Sequence, residues 1–182
     1  MNKKATKFQE MLTEKKIDAF QTEELKDKFD TTVFRSHLEV KGQYLPLMVL
    51  LDDSLYSIVR VIIASKAIDE KSRPHVLEHI DHLNRGFKVF KYFTTDDGSL
   101  VLDACVPSAE DAFDPEAMRI VIDVVLEHLQ NSYKETMEAI WSEGSKAKNA
   151  ENEAEEVTES KGDAQLESSA KDTKKAKTPA KA

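Results

Sequence analysis

Several residue types that define whole classes of protein are scarce in this sequence of 182 residues. It contains one cysteine, five glycines and five prolines. One cysteine excludes a disulfide framework, and so few glycines make a phosphate-binding glycine loop hard to build. The longest apolar run, residues 45–51, is interrupted by Pro46 and falls far short of the roughly 20 residues that a membrane-spanning helix needs. The first residues have no apolar core of signal-peptide length, which predicts a cytoplasmic protein without membrane contact.

Aromatic side chains are absent beyond Trp141, and large apolar ones are almost absent there too. Residues 143–182 carry nine acids and eight lysines among small polar residues, a composition that cannot offset the entropy of ordering. We therefore predict a folded domain over residues 1–142 and a disordered, charged, low-complexity tail over residues 143–182 that serves to solubilise the chain. The domain holds 25 acids against 18 lysines and arginines, so it is the acidic part.

Hydrophobic periodicity predicts an α+β fold with the order α-βββ-α-ββ-α. Three strands separated by two short turns favour an antiparallel meander, and an Asp-Gly turn favours a later hairpin, so that one antiparallel sheet packs against helices. The predicted helices and strands cover residues 4–16, 33–40, 44–51, 56–64, 72–86, 88–93, 100–106 and 115–141. Thr22, Glu23 and Glu24 are predicted to cap a further helical turn, and Gly86 to end the second helix.

Two apolar runs carry more specific expectations. The strand at residues 44–51 is nearly continuously apolar, which predicts that it is covered on both faces or lies at a contact. Cys105 lies in the apolar run of residues 100–106, which predicts a buried, inert thiol.

The last helix gives the clearest pattern. Asp114 is a good N-cap and Pro115 suits the first helical position. Ile120 and Val124 lie outside both the main apolar stripe and the polar side, and they widen the apolar band beyond what packing on one sheet requires. We therefore predict that Ile120 and Val124 belong to an interaction surface.

Three histidines offer the best candidate for a chemical site. His75, His79 and His82 lie at positions i, i+4 and i+7 of the second helix, so their imidazoles share one face, beside Glu78, and three such nitrogens could hold zinc or nickel. The spacing is not that of the HExxH motif, and a solvated flank or a pH-sensing group are alternative interpretations.

No catalytic residue is predicted. The acidic pairs at residues 52–53 and 96–97 occupy predicted turns, and residues 110–114 lack the ligand spacing of a calcium loop. Lys88 and Lys91 alternate with aromatic residues, a pattern that can stack nucleic-acid bases, but the acidic domain would repel phosphates. We therefore expect no bound nucleic acid, no cofactor and no enzymatic activity.

Two segments carry a resemblance to a known family. The block HIDHLNRGFKVFKYFTTDDGSLVLDACVP, with Leu83 and Asn84 at a helix end, and the later FDPEAMRIVIDVVLEHL resemble YbjN-like domains, which share the fold of type III secretion chaperones. The resemblance covers about residues 5–141. It implies an α+β protein-interaction domain without defined catalytic residues, and the chaperones of this fold are acidic dimers that hold extended client segments.

The function predicted from these observations is that of a non-enzymatic protein-interaction module, chaperone-like or regulatory. It would bind a protein partner or client through an apolar sheet or helix surface, with a homodimer as one arrangement. The alternative is a metal-binding or small-molecule sensor that uses the helix face of His75, His79 and His82.

Overall fold

The computed structural model describes residues 1–141 and shows an antiparallel sheet covered by helices. The elements in chain order are α1 Lys3–Glu14, β1 Gln21–Glu24, β2 Thr32–Val40, β3 Gln43–Leu51, β4 Tyr56–Ala64, α2 Arg73–Gly86, β5 Phe90–Thr94, β6 Leu100–Pro107 and α3, residues 115–141. The six strands are ordered β1-β2-β3-β4-β6-β5. The predicted α+β fold is confirmed, with one strand more than expected.

The chain divides into a first unit, Met1–Ile140, and a second, Trp141–Ala182. Only Trp141 of the second unit belongs to the described residues. The predicted tail over residues 143–182 therefore lies outside the part of the chain that the structure describes.

The additional strand is β1, and the helical turn predicted there was wrong. Residues 21–24 pair with β2, from Gln21 opposite Arg35 to Glu24 opposite Thr32. All four β1 side chains are exposed, so no alternation of buried and exposed residues marks the strand in the sequence. Backbone pairing to β2 and an ion pair of 2.8 Å between Arg35 and Glu23 hold it, which shows tertiary context overriding a weak local pattern.

The predicted turns have backbone conformations that match their residues. Lys41 and Gly42 join β2 to β3 with φ values of 50° and 78°, the left-handed pair that a two-residue hairpin turn requires. Gly98, between β5 and β6, has a φ of 80°. A Cβ atom on Gly98 would lie 2.4 Å from the carbonyl oxygen of Ile68, so this turn also needs glycine for a close approach.

That close approach joins the turn to the segment before α2. The backbone N–H of Ile68 donates to the carbonyl of Gly98 at 2.9 Å, and the N–H of Lys66 donates to the hydroxyl of Ser99 at 3.0 Å. We call these contacts the turn latch. They fix the connection from β4 to α2 onto a hairpin that comes about 30 residues later in the chain.

Helix ends follow the sequence except at one position. The Asp114 carboxylate accepts the N–H of Glu116 at 2.9 Å, and Asn2 accepts the N–H of Ala5 at 2.9 Å, so α3 and α1 are capped by side chains. Helix α2 ends at Gly86 as predicted, but Gly86 does not have the left-handed conformation of a glycine cap, and Phe87 is extended. The Lys91 ammonium instead donates to a carbonyl at the end of α2, that of Asn84, at 2.5 Å.

All three helices pack on the same face of the sheet. One row of buried strand residues crosses it, with Phe34, Val49, Val59, Ala104 and Phe90 in successive register positions. These residues form one hydrophobic core with buried residues of the helices. The helix residues in the core are Ala5, Phe8, Met11 and Leu12 of α1, Val76 and Ile80 of α2, and Met118, Val125, Leu129 and Ile140 of α3.

The opposite face of the sheet has no counterpart to this core among residues 1–141. Val33 and Val101 point to that side, and both are buried yet do not belong to the core. No described helix contributes to this side. We call it the open face.

Candidate interaction surfaces

The open face is built from the alternate residues of the strands that do not enter the core. Most of its side chains are apolar or aromatic: Val33, Tyr44, Pro46, Met48, Leu50, Tyr56, Ile58, Ile62, Phe93, Val101, Cys105 and Pro107. An antiparallel sheet with one face in water normally carries polar residues on that face. The open face therefore departs from the pattern of a solvated sheet surface.

Strand β3 shows this departure most clearly. Leu45, Leu47, Val49 and Leu51 are buried in the core, while Pro46 is exposed and Met48 and Leu50 are only half-buried. Of the two expectations for this apolar run, coverage by helices on both faces is wrong for the described residues. The remaining expectation is that its second face lies at a contact.

An ion pair occupies the middle of the open face. The Arg60 guanidinium donates two hydrogen bonds to the Asp103 carboxylate, at 2.7 and 2.6 Å, and lies 5.8 Å from the centre of the Phe93 ring. The hydrogen bond to Asp103 raises the pKa of Arg60. This bidentate geometry is the strongest arrangement of these two groups, and it compensates both charges within the chain.

Two further cationic side chains of this face also have hydrogen-bond partners. Arg35 bonds Glu23, and the Lys91 ammonium donates to the backbone carbonyls of Asn84 and Phe87. Phe90 and Tyr92 are buried in the core while Lys91 and Phe93 lie on the open face. The residues that could have stacked nucleic-acid bases are thus divided between the two faces of the sheet.

Cys105 lies on the open face, and the prediction that it is buried was wrong. It is exposed and pairs in register with Ile58 of β4. In the run of residues 100–106, alternate side chains point to opposite faces, and the sequence does not show which face the helices cover. The thiol therefore reports directly on whether anything covers this face.

Ile120 and Val124 lie on the outer side of α3. Their exposed fractions are 53% and 44%, whereas Val125, between the two apolar residues Val124 and Leu126, is fully buried. The apolar band of α3 thus extends beyond its contact with the sheet. This gives a second apolar surface, smaller than the open face and on the helix side of the molecule.

The histidines of α2 do not assemble into a metal site. The His79 imidazole is half-buried and lies 3.0 Å from the hydroxyl of Thr136 on α3, while His75 and His82 are exposed. Burial lowers the pKa of His79, opposed by Glu135 and assisted by His82. Among residues 1–141, no group of three or more histidine, cysteine or acidic side chains could hold a metal ion.

A buried histidine of α3, His128, faces β5 and was not identified from the sequence. The His128 ring is 8% exposed and lies 4.2 and 4.8 Å from the ring centres of Phe87 and Phe90. Its Nε2 atom is 2.8 Å from the Tyr92 hydroxyl and 3.3 Å from that of Ser132. Burial lowers the pKa of His128 and raises the pKa of Tyr92 to about 12, so both groups are neutral at pH 7.

This pair of serine and histidine has the residue types of a nucleophile and a base, but the geometry favours a structural role. Ser132 and His128 are both more than nine-tenths buried. The Ser132 hydroxyl also donates to the backbone carbonyl of His128 at 3.0 Å, within the same helix. A catalytic group must contact its substrate, and these groups contact the core.

Two surface depressions lie among the described residues. One of about 260 Å³ lies at the β2 end of the open face, among Arg35, His37, Pro46, Met48 and Ile62. Another of about 300 Å³ lies on the helix side, next to Phe20 and Ile122. Small-molecule sites usually measure roughly 300 to 1,000 Å³, so these depressions lie at or just below the lower end of that range.

Two comparisons of this chain with known proteins found no match. No protein-family model matches it. No curated protein matches it either. The resemblance to YbjN-like domains therefore depends on the sequence pattern and the element order alone. In the part of the chain that the structure describes, no helix has the length and apolar character to cross a membrane.

Proposed function

We propose that this chain is a non-enzymatic protein-interaction module, chaperone-like or regulatory, that acts in the cytoplasm. The open face binds another polypeptide. The observation that carries the proposal is a sheet surface made mostly of apolar side chains, over which no described helix lies. Large contiguous apolar patches on a folded protein are typical of surfaces that bind protein.

The ion pair at the centre of the open face supports the proposal. Covering a charged group is costly unless its partner is already in place. Arg60 and Asp103 satisfy each other through two hydrogen bonds, so a polypeptide can cover them without supplying a counter-charge. The surface thus combines apolar area with two charged groups that already satisfy each other, so covering them costs less than covering an unpaired charge.

The titratable groups support a non-enzymatic role. Among residues 1–141, the clear pKa shifts have structural causes, such as the ion pair of Arg60, the burial of His128 and the hydrogen bonds from Thr31 to Asp27. Active sites usually combine such shifts with a cleft that admits substrate. Here the buried groups His128 and Tyr92 face the core, and the buried Lys4 ammonium donates to the backbone carbonyl of Ser54 at 2.6 Å.

The proposal is tested by capturing partners with the purified full-length chain from lysate of its native host, identifying them, and measuring each interaction again with purified components. The Ile58→Asp variant changes the open face, and the double variant Ile120→Asp with Val124→Asp changes the α3 surface as a matched control. We expect Ile58→Asp to weaken binding at least tenfold while circular dichroism shows a folded domain.

The outcomes separate the two surfaces. Loss of binding only in the α3 variant would transfer the proposal to the helix surface. If both variants bind every identified partner as the wild type does, the proposed use of an apolar surface is wrong.

A further inference from the structure

We infer that the occupant of the open face is a second copy of this chain, packed sheet against sheet around a two-fold axis. This inference rests on the proposed function, because it assumes that the open face binds a polypeptide. It names the partner and the geometry, which the proposed function leaves open.

The dimensions of the open face favour an occupant that is itself a sheet. Six strands about 4.8 Å apart and up to nine residues long, at about 3.3 Å per residue, give a face of roughly 24 by 30 Å. A single helix is about 10 Å wide with its side chains, so it would leave more than half of this width uncovered. An identical face covers it completely, at the spacing of about 10 Å that packed sheets adopt.

The area agrees with that of a stable dimer. A face of these dimensions is on the order of 700 Å², so two copies would bury on the order of 1,400 Å² in total. Specific interfaces usually bury about 1,200 to 2,000 Å². A two-fold arrangement uses the same patch on both copies and closes after two, which leaves no open face for further association.

The charges of the face suit an identical partner better than a strongly charged one. Arg60 is paired with Asp103 and Arg35 with Glu23, and the two other charged side chains of this group, Lys91 on the edge strand β5 and Glu39 next to the β2–β3 turn, lie at the margins of the face. The centre of the face therefore offers no cluster of like charge for an acidic or basic segment to bind. Repulsion between two acidic domains acts mainly through their exposed surfaces, where physiological salt screens it beyond about 8 Å. Packing this face against its own copy therefore neither leaves an unpaired charge at its centre nor requires a strongly charged partner.

The Cys105 thiol allows the inference to be tested by its reaction with a maleimide. It is the single cysteine of the chain, and it is exposed on the open face opposite Ile58. In the sheet-to-sheet dimer the thiol is covered. Its reaction rate with a soluble maleimide should therefore fall as the protein concentration rises and the dimer forms.

The experiment combines mass and thiol reactivity on the purified full-length chain. We expect light scattering to give twice the chain mass of 20.6 kDa. We expect the maleimide rate of Cys105 to fall roughly four- to sevenfold between about 1 and 100 μM protein, as mass action gives for a dimer with a dissociation constant of about 1 to 10 μM and a covered thiol. Ile58→Asp should give a monomer with a rate independent of concentration, whereas Ile120→Asp on α3 should behave as the wild type. Met48→Lys, on the neighbouring strand β3, serves as a second open-face variant if Ile58→Asp does not fold.

The results that overturn the inference are distinct from those that overturn the proposed function. A monomer at 100 μM with constant Cys105 reactivity rejects the second copy, and the proposed function then stands only if open-face variants lose an identified partner. A dimer that survives both open-face variants and dissociates with Ile120→Asp also rejects the inference, because its interface is then α3. Protection of Cys105 in a monomer by another protein or by a helical peptide rejects it in favour of that occupant.

Discussion

The side chain of Asn84 is predicted to protect the outer edge of the sheet. Strand β5 is the last in the sheet, so among residues 1–141 no strand pairs with its outer edge. The Asn84 amide, in the last turn of α2, donates to the carbonyl of Tyr92 at 3.0 Å and accepts the N–H of Tyr92 at 2.8 Å. One side chain thus takes the place of a neighbouring strand at that residue, and Asn84→Ala removes both bonds.

The expected magnitude follows from those two bonds. A hydrogen bond in a folded protein contributes about 0.5 to 1.5 kcal/mol net, so losing two partly buried bonds should lower the free energy of unfolding by about 1 to 3 kcal/mol. For a domain of this size the melting temperature should fall by roughly 3 to 5 °C for each kcal/mol. The unpaired edge should also pair between chains, so aggregation on heating should increase.

The assay is urea unfolding followed by circular dichroism, with hydrogen exchange at the Tyr92 amide. Arg85→Ala is the matched control, because Arg85 is the next residue on α2 and makes only an exposed ion pair with Asp81. That change should cost less than about 0.5 kcal/mol.

An Asn84→Asp variant separates the two bonds. The ionised carboxylate keeps the acceptor and loses the donor, so this variant should regain stability relative to the wild type as acid protonates it. Equal stability and equal protection of the Tyr92 amide in wild type and Asn84→Ala would refute the reasoning.

Three further predictions concern the buried histidine, the turn latch and the histidines of α2. Burial lowers the pKa of His128, so as the pH falls the unfolded chain takes up a proton at this residue before the folded chain does. The contribution of neutral His128 to the free energy of unfolding is therefore full above its unfolded pKa of about 6.5 and is lost as the pH falls below that value. The unfolding free energy from urea titrations should therefore fall between pH 7.5 and 5, and less steeply in His128→Gln; equal slopes would contradict this assignment. Gly98→Ala should destabilise the domain by more than about 1 kcal/mol, because a φ of 80° and the carbonyl of Ile68 at 2.4 Å both oppose a Cβ atom. Thermal melting checks this against Gly86→Ala, where no atom would lie within 4 Å of the new Cβ and α2 should be stabilised; a higher melting temperature for Gly98→Ala would contradict it. Zinc titration of the chelator-treated chain by calorimetry should show no micromolar site on α2, because the His79 ring faces Thr136; a site that His79→Ala abolishes would restore the metal hypothesis.

Local signals in the sequence predicted much of the fold. Asp114 and Pro115 mark the start of α3 because capping depends on residues within one turn. Lys41 and Gly42 mark a hairpin for a similar reason, since the conformation of a two-residue turn is set by its own residues. These features involve neighbours in the chain, which a single sequence displays directly.

The errors concern features that depend on distant residues. Strand β1 exists because β2 offers an edge to residues 21–24, and nothing within those residues marks it. Cys105 lies in an apolar run, but its exposure depends on the side from which the helices pack. His128 gains its partners from β5 and from the segment before it, so its burial depends on the tertiary structure.

The candidate surfaces divide in the same way. Ile120 and Val124 stood out because a helix pattern shows which residues are surplus to one packed face. The open face was only indicated, through the unexplained apolar run of β3, because identifying it requires the positions of all three helices. The histidine pattern of α2 was correct for a helix, but the His79 imidazole lies 3.0 Å from the Thr136 hydroxyl of α3, a contact that depends on the tertiary structure.

The turn latch has a consequence for the order in which the chain folds during its synthesis. Helix α2 is made before Gly98 and Ser99, whose backbone and side chain hold the segment that leads into the helix. Its docking should therefore be completed only after the ribosome has released the β5–β6 hairpin. Nascent chains that end near residue 95 should show rapid hydrogen exchange in residues 65–72, and chains extended through β6 should protect that segment and the hairpin together, as one cooperative unit.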